Sequence, residues 1–71
     1  MNTLIILDFA TSSVRFVNVT EGQTQVIIEE YNNDIEAWAA EHLEEQIGVD
    51  MTNCQYMFVN GEPKTFNHSL K

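Results

Sequence analysis

Apolar positions change their spacing along this chain, and the changes divide it into elements. Leu4-Ile5-Ile6-Leu7 runs unbroken into Asp8-Phe9, which predicts a strand over Leu4–Phe9 with apolar residues on both faces. Val14, Phe16, Val17 and Val19 predict a second strand over Val14–Val19, because β-branched and aromatic side chains suit a pleated surface. Thr11-Ser12-Ser13 between them fits a turn, where short hydroxyl side chains bond their own backbone. Val26-Ile27-Ile28 predicts a third strand over Gln25–Tyr31, preceded by a Glu21-Gly22-Gln23 turn in which Gly22 is free to take positive φ. Three strands joined by short turns describe an antiparallel meander.

The period then lengthens. Ile35, Trp38, Ala39, Leu43 and Ile47 recur at helical spacing and form one apolar stripe on a helix from Asp34 to Ile47, with His42 on the stripe's edge. Asn33 suits the N-cap, with Glu36 three residues on as in a capping box, and Gly48 suits the left-handed stop. Cys54–Val59 reads as a fourth strand, Asn60-Gly61 as a hairpin turn, and the residues to about Phe66 as a short fifth strand that Pro63 confines to a sheet edge. The fold expected is α+β in the order β-β-β-α-β(-β): an antiparallel meander plus one amphipathic helix packed on one face of a mixed sheet. A right-handed crossover would set the fourth strand parallel to the first.

One helix covers one face of a sheet, and this chain has apolar residues for two. Leu4 and Ile6 oppose Ile5, Leu7 and Phe9; Val14 and Phe16 oppose Val17 and Val19; Tyr56 and Phe58 oppose Met57 and Val59. The surplus predicts an uncovered apolar face, which suits a homodimer or another protein partner.

Composition narrows the partner. Seventy-one residues make one small domain, and 44% apolar content argues against disorder. Eleven acidic residues face three basic ones, for a net charge of −8. Direct nucleic-acid binding needs clustered cations to neutralise phosphates, and an anionic membrane surface needs them too, so neither partner is expected. A basic protein fits better. Glu29, Glu30, Asp34, Glu36, Glu41, Glu44, Glu45 and Asp50 fall in a stretch without Lys or Arg. Glu41 and Glu45 are one turn apart and repel, and Glu44 and Glu45 sit near the negative end of the helix dipole. Glu36, Glu41, Glu44 and Glu45 are therefore the candidate partner-binding residues. They suit a docking face for a basic protein, or an inhibitor that imitates nucleic acid; they also suit a solvated face that keeps a small chain soluble.

The remaining chemistry is sparse. Cys54 is the single cysteine, so no internal disulfide forms. Cys54, His42 and His68 match no zinc spacing, and no metal or cofactor is expected. Trp38, Tyr56, Phe58 and Phe66 lack neighbouring cations for base stacking and read as core and sheet surface. Leu4–Arg15 superficially resembles the first phosphate loop of actin-like and sugar-kinase ATPases. Ala10 stands where that loop needs glycine, and the chain has no room for the second loop, so Asp8 reads as a strand end rather than a catalytic residue. An enzyme is not expected. The apolar start lacks a basic region and is broken by Asp8, which makes it neither a signal peptide nor a membrane span and implies a cytoplasmic protein.

Three segments carry a further resemblance: Leu7-Asp8-Phe9 closing the first strand, the acidic helix ending near Gly48, and Asn53-Cys54-Gln55-Tyr56-Met57 opening the last strand. In these the chain resembles small uncharacterised proteins of phages and mobile elements in Bacteroides-type bacteria. That group has no assigned activity. The resemblance implies a mobile-element setting and a cytoplasmic accessory role; the acidic helix and the surplus apolar face suggest that the role is that of a non-enzymatic protein–protein interaction module.

Overall fold

The computed structural model describes residues Met1–Leu70. The chain folds as β1 (Asn2–Asp8), β2 (Ser13–Val19), α1 (Glu21–Glu30), α2 (Ile35–His42), α3 (Glu44–Ile47), a 3₁₀ turn (Met51–Asn53) and β3 (Cys54–Asn60). It is a small α+β domain with a three-stranded antiparallel sheet in the order β2-β1-β3.

Two of the expected strands form the first hairpin. Asp8 shapes its turn by accepting the Ala10 N–H at 3.1 Å, and Ser12 takes φ 54°. The third expected strand does not form: Gln25–Tyr31 belongs to the helix α1 and its C-cap. The reason lies just upstream. Thr20 accepts the Gln23 N–H at 3.1 Å while the Gln23 side chain accepts the Thr20 N–H at 2.9 Å, a reciprocal capping box that nucleates a helix through a run of β-branched residues. The meander is therefore a hairpin followed by a helix.

Asn32 and Asn33, at φ 52° and 65°, turn the chain between helices, a conformation Asn tolerates better than most side chains. Asn33 therefore does not cap α2. Asp34 does, accepting the Ala37 N–H at 3.1 Å. The single rod expected from Asp34 to Ile47 is broken at Leu43, whose φ of −112° departs from the helical value while its side chain enters the core. Gly48 ends α3 in the left-handed region at φ 69°, with the Gly48 and Val49 N–H groups both bonded to the Glu44 carbonyl, as its position in the sequence implied.

The last strand runs antiparallel to β1, not parallel to it, with Ile5 opposite Met57 and Asp8 opposite Cys54. The crossover sets this direction: the helices carry the chain from the end of β2, beside Asn2, over one sheet face to the other edge of β1, beside Asp8, so β3 runs parallel to β2, the strand it follows. Asp50 shapes the entry into β3 by accepting the Thr52 N–H and hydroxyl. The sheet is therefore purely antiparallel rather than mixed. The expected fifth strand is absent. Gly61 turns at φ 75° and bonds back to the first strand, its N–H donating to the Met1 carbonyl and its carbonyl accepting the Thr3 hydroxyl. Residues 62–70 carry no regular structure.

The core lies between one sheet face and the helices. Leu4, Ile6 and Val19 from the sheet meet Ile27 of α1, Trp38 and Ala39 of α2, then Leu43, Val49, Met51 and Cys54. The helical stripe read from the sequence is this contact surface, with Ile35 and Ile47 packed at its margins.

Candidate functional site

All the helices pack on one side of the sheet, so the other side is open. Strand alternation decides which residues it presents. Across the middle runs the row Phe16–Ile5–Met57, flanked by Val14–Leu7–Gln55 on one side and Asn18–Thr3–Val59 on the other. Val14, Phe16 and Met57 are 54–55% exposed and Leu7 is 40% exposed, while Ile5 sits flush between its neighbours at 8%. Phe9, one residue beyond β1, is also exposed. None of the nine side chains in these rows is ionisable. A continuous apolar surface on the exposed face of a sheet is the expected uncovered patch, and water contact there is unfavourable by roughly 25 cal/mol per Å².

Apart from Asp8 in β1 and Glu62 after β3, the acidic residues lie in the helical layer and its connections. Glu36 and Glu45 are exposed and enter no hydrogen bond or ion pair among the described residues. Glu41 and Glu44 are engaged inside the molecule. Glu44 is half-buried, and its Oε2 accepts the Met51 N–H at 2.8 Å, tying α3 to the 3₁₀ turn. Glu41 Oε2 accepts the Tyr31 hydroxyl at 2.6 Å, and that hydroxyl also lies 3.0 Å from His42 Nε2. The Glu41 hydrogen bond raises the Tyr31 pKa above its ordinary value, since a phenolate would face a carboxylate. The negative end of α3 does have a cation, supplied from β2 rather than from the helix. Arg15 Nη1 donates to the Ile47 carbonyl at 2.7 Å.

His42 also packs on Trp38, with ring centroids 5.9 Å apart. Beside this pair, a depression of about 430 Å³ runs along the seam of α1 with α2 and α3, lined by Gln23, Val26, Trp38, His42 and Leu43 among others.

The other reactive groups are used by the fold. Asp8 is 3% exposed; one oxygen accepts the Ala10 N–H and the other lies 3.8 Å from Arg15 Nη2. Cys54 faces the core and its thiol donates to the Asp50 carbonyl at 3.2 Å; burial pushes its pKa up, with the Asp8 charge adding to the effect. His68 lies in the C-terminal segment against Phe66. Among the described residues no three His, Cys, Asp or Glu side chains gather as metal ligands, and no helix is long and apolar enough to cross a membrane.

Sequence alternation reveals the open face. It does not reveal the engagement of Glu41 and Glu44 or the Arg15 cap, because those contacts join distant parts of the chain. Comparison with family models, with curated proteins and with solved structures gives no match.

Proposed function

We propose that this chain is a small non-enzymatic accessory protein that acts by binding another protein through the open face of its sheet. The observation that carries this reading is the continuous apolar surface of Leu7, Val14, Phe16 and Met57 around Ile5, without an ionisable side chain among them. Surfaces of this kind in small domains mark interfaces, because leaving them wet costs stability that a thin core can ill spare. Asp8 and Cys54 are committed to structural contacts, which favours binding over catalysis. A cytoplasmic setting on a mobile element, as the resemblance implies, suits such a module.

The test compares two variants as affinity baits in a lysate of the source organism. Phe16→Glu places a charge in the centre of the open face; Glu36→Gln/Glu45→Gln removes the two candidate carboxylates that enter no contact among the described residues. The expected outcome is a retained protein that Phe16→Glu loses and the double Gln variant keeps. Equal retention by wild type and Phe16→Glu sinks the sheet-face reading.

A second reading rests on a separate observation: Glu36 and Glu45 stand exposed in a stretch from Glu29 to Asp50 that holds no Lys or Arg. It takes the helical side as a surface that imitates nucleic acid and blocks a basic protein. Binding that vanishes at about 0.3 M salt and in the double Gln variant, but survives Phe16→Glu, selects it over the first.

A further inference from the structure

The charge layout of the open face points to one kind of occupant. We propose that a second copy of this chain covers it, the two sheets stacking into a six-stranded sandwich about a two-fold axis parallel to β1. This deepens, and rests on, the reading of the sheet face as a docking surface.

Charge comes first. The chain carries −8, yet the three rows Val14–Leu7–Gln55, Phe16–Ile5–Met57 and Asn18–Thr3–Val59 carry no ionisable group. A basic partner finds no counter-charge there. A second copy brings a neutral apolar surface, and its helices with their carboxylates lie on the far side of its sheet. Face-to-face sheets stand about 10 Å apart, so none of the helical carboxylates need be desolvated.

Area comes second. Three strands of seven residues span about 23 Å by 14 Å. With side chains included, each copy would cover roughly 500 Å², and the pair about 1,000 Å², the lower bound for a specific interface. A second copy has the same outline and covers every row at once. An interface of this size predicts a reversible dimer with a dissociation constant in the micromolar range.

The sequence also selects the axis. The face is graded along β1: Val14 and Leu7 lie towards one end, Asn18 and Thr3 towards the other. Two-fold axes in the plane of the interface can run along the strands or across them. The transverse axis lays the polar end of one copy on the apolar end of the other. The axis along β1 lays Leu7 on Leu7, Thr3 on Thr3, and, because it exchanges the two edges, β2 on β3. Phe16 of each copy then meets Met57 of its mate, a thioether against an aromatic ring, which is a favourable contact. The contact is made twice, as an isologous interface requires.

Sedimentation equilibrium of the full chain tests the dimer, and a pair of variants tests its geometry. Wild type is expected to pass from one-chain to two-chain mass over about 1–500 µM. Phe16→Glu and Met57→Lys should each weaken self-association at least about a hundred-fold. Both positions are more than half exposed, so circular dichroism should show both variants folded. Mixed in equal amounts they should associate again, since one interfacial pair then joins the new carboxylate to the new ammonium and the other remains Phe16 on Met57. A one-chain mass for wild type up to about 1 mM overturns the second copy as occupant. If Phe16→Glu still loses a captured protein from lysate in that case, the docking reading stands and this inference alone fails. A wild-type dimer whose variants do not associate on mixing overturns the axis and the Phe16–Met57 pairing.

Discussion

At the scale of single residues, Arg15 makes a polar link between the sheet and the end of α3. Its guanidinium holds the Ile47 carbonyl at the end of α3 and stands beside the buried Asp8 carboxylate, while its Nε is buried without a partner. Truncation removes the cap and leaves Asp8 buried without a cation. Arg15→Ala should therefore cost about 2 kcal/mol, below the full penalty of breaking a buried pair because the arginine is partly exposed and the 3.8 Å contact is long. Asp8→Asn keeps an acceptor for the Ala10 N–H and should cost about 1 kcal/mol. Urea denaturation of both gives the order, and a smaller loss for Arg15→Ala than for Asp8→Asn would contradict this account. Asp50 sets a pH dependence of known sign. Hydrogen bonds from the Thr52 hydroxyl and N–H hold its carboxyl below the ordinary 3.8. The folded pKa is depressed, so the contribution is present above the unfolded value and lost as pH falls through the folded one. As pH falls below 3.8, Asp50→Asn should lose less stability than wild type, as followed by fluorescence of the buried Trp38.

At the scale of elements, two glycines give opposite predictions. Gly22 lies in the first turn of α1 without positive φ, and a Cβ there would meet the Thr20 hydroxyl at 3.9 Å, an ordinary contact. Gly22→Ala should stabilise by about 0.5 kcal/mol through reduced freedom of the unfolded chain. Gly48, at φ 69°, ends α3, and Gly48→Ala should cost about 1 kcal/mol. Chemical denaturation checks both; the same sign for the two would refute the helix assignment of residues 21–30. That assignment also shows what the sequence made legible. Thr20-Glu21-Gly22-Gln23 contains a Thr-x-x-Gln cap, but the β-branched run Val26-Ile27-Ile28 outweighs it by propensity, which a capped and packed helix overrides. The stripe on α2 and α3 was readable because helical periodicity is local. The parity of Ile5, Leu7, Val14, Phe16 and Met57 was readable because alternation holds whatever a strand's neighbour. The direction of β3 was not, since a crossover returns parallel to the strand it leaves, and with Gln25–Tyr31 helical that strand is β2.

At the scale of the whole molecule, charge and apolar surface are separated, and salt reads the separation. Only two ion pairs occur among the described residues, Met1 with Glu21 and Arg15 with Asp8, so nine of the eleven carboxylates have no cationic partner there, on a chain of net charge −8. At about 10 mM salt the screening length is about 30 Å. The molecule measures 47 × 25 × 18 Å, so at that ionic strength its carboxylates repel across most of its width, and two copies brought together repel each other as well. At about 0.15 M the length falls to about 8 Å and most of this repulsion is gone. The two docking modes respond with opposite sign. Association of two like-charged chains through a neutral sheet face should tighten as salt rises, because screening removes repulsion and leaves apolar burial almost untouched. Binding of a basic protein to the acidic helical side should weaken over the same range, because screening removes attraction. Sedimentation equilibrium of wild type at about 20 and 300 mM NaCl should therefore show a dissociation constant several-fold lower at the higher concentration. A constant that rises with salt would mean that the copies meet through charged groups, and the sheet face would lose its place as the contact.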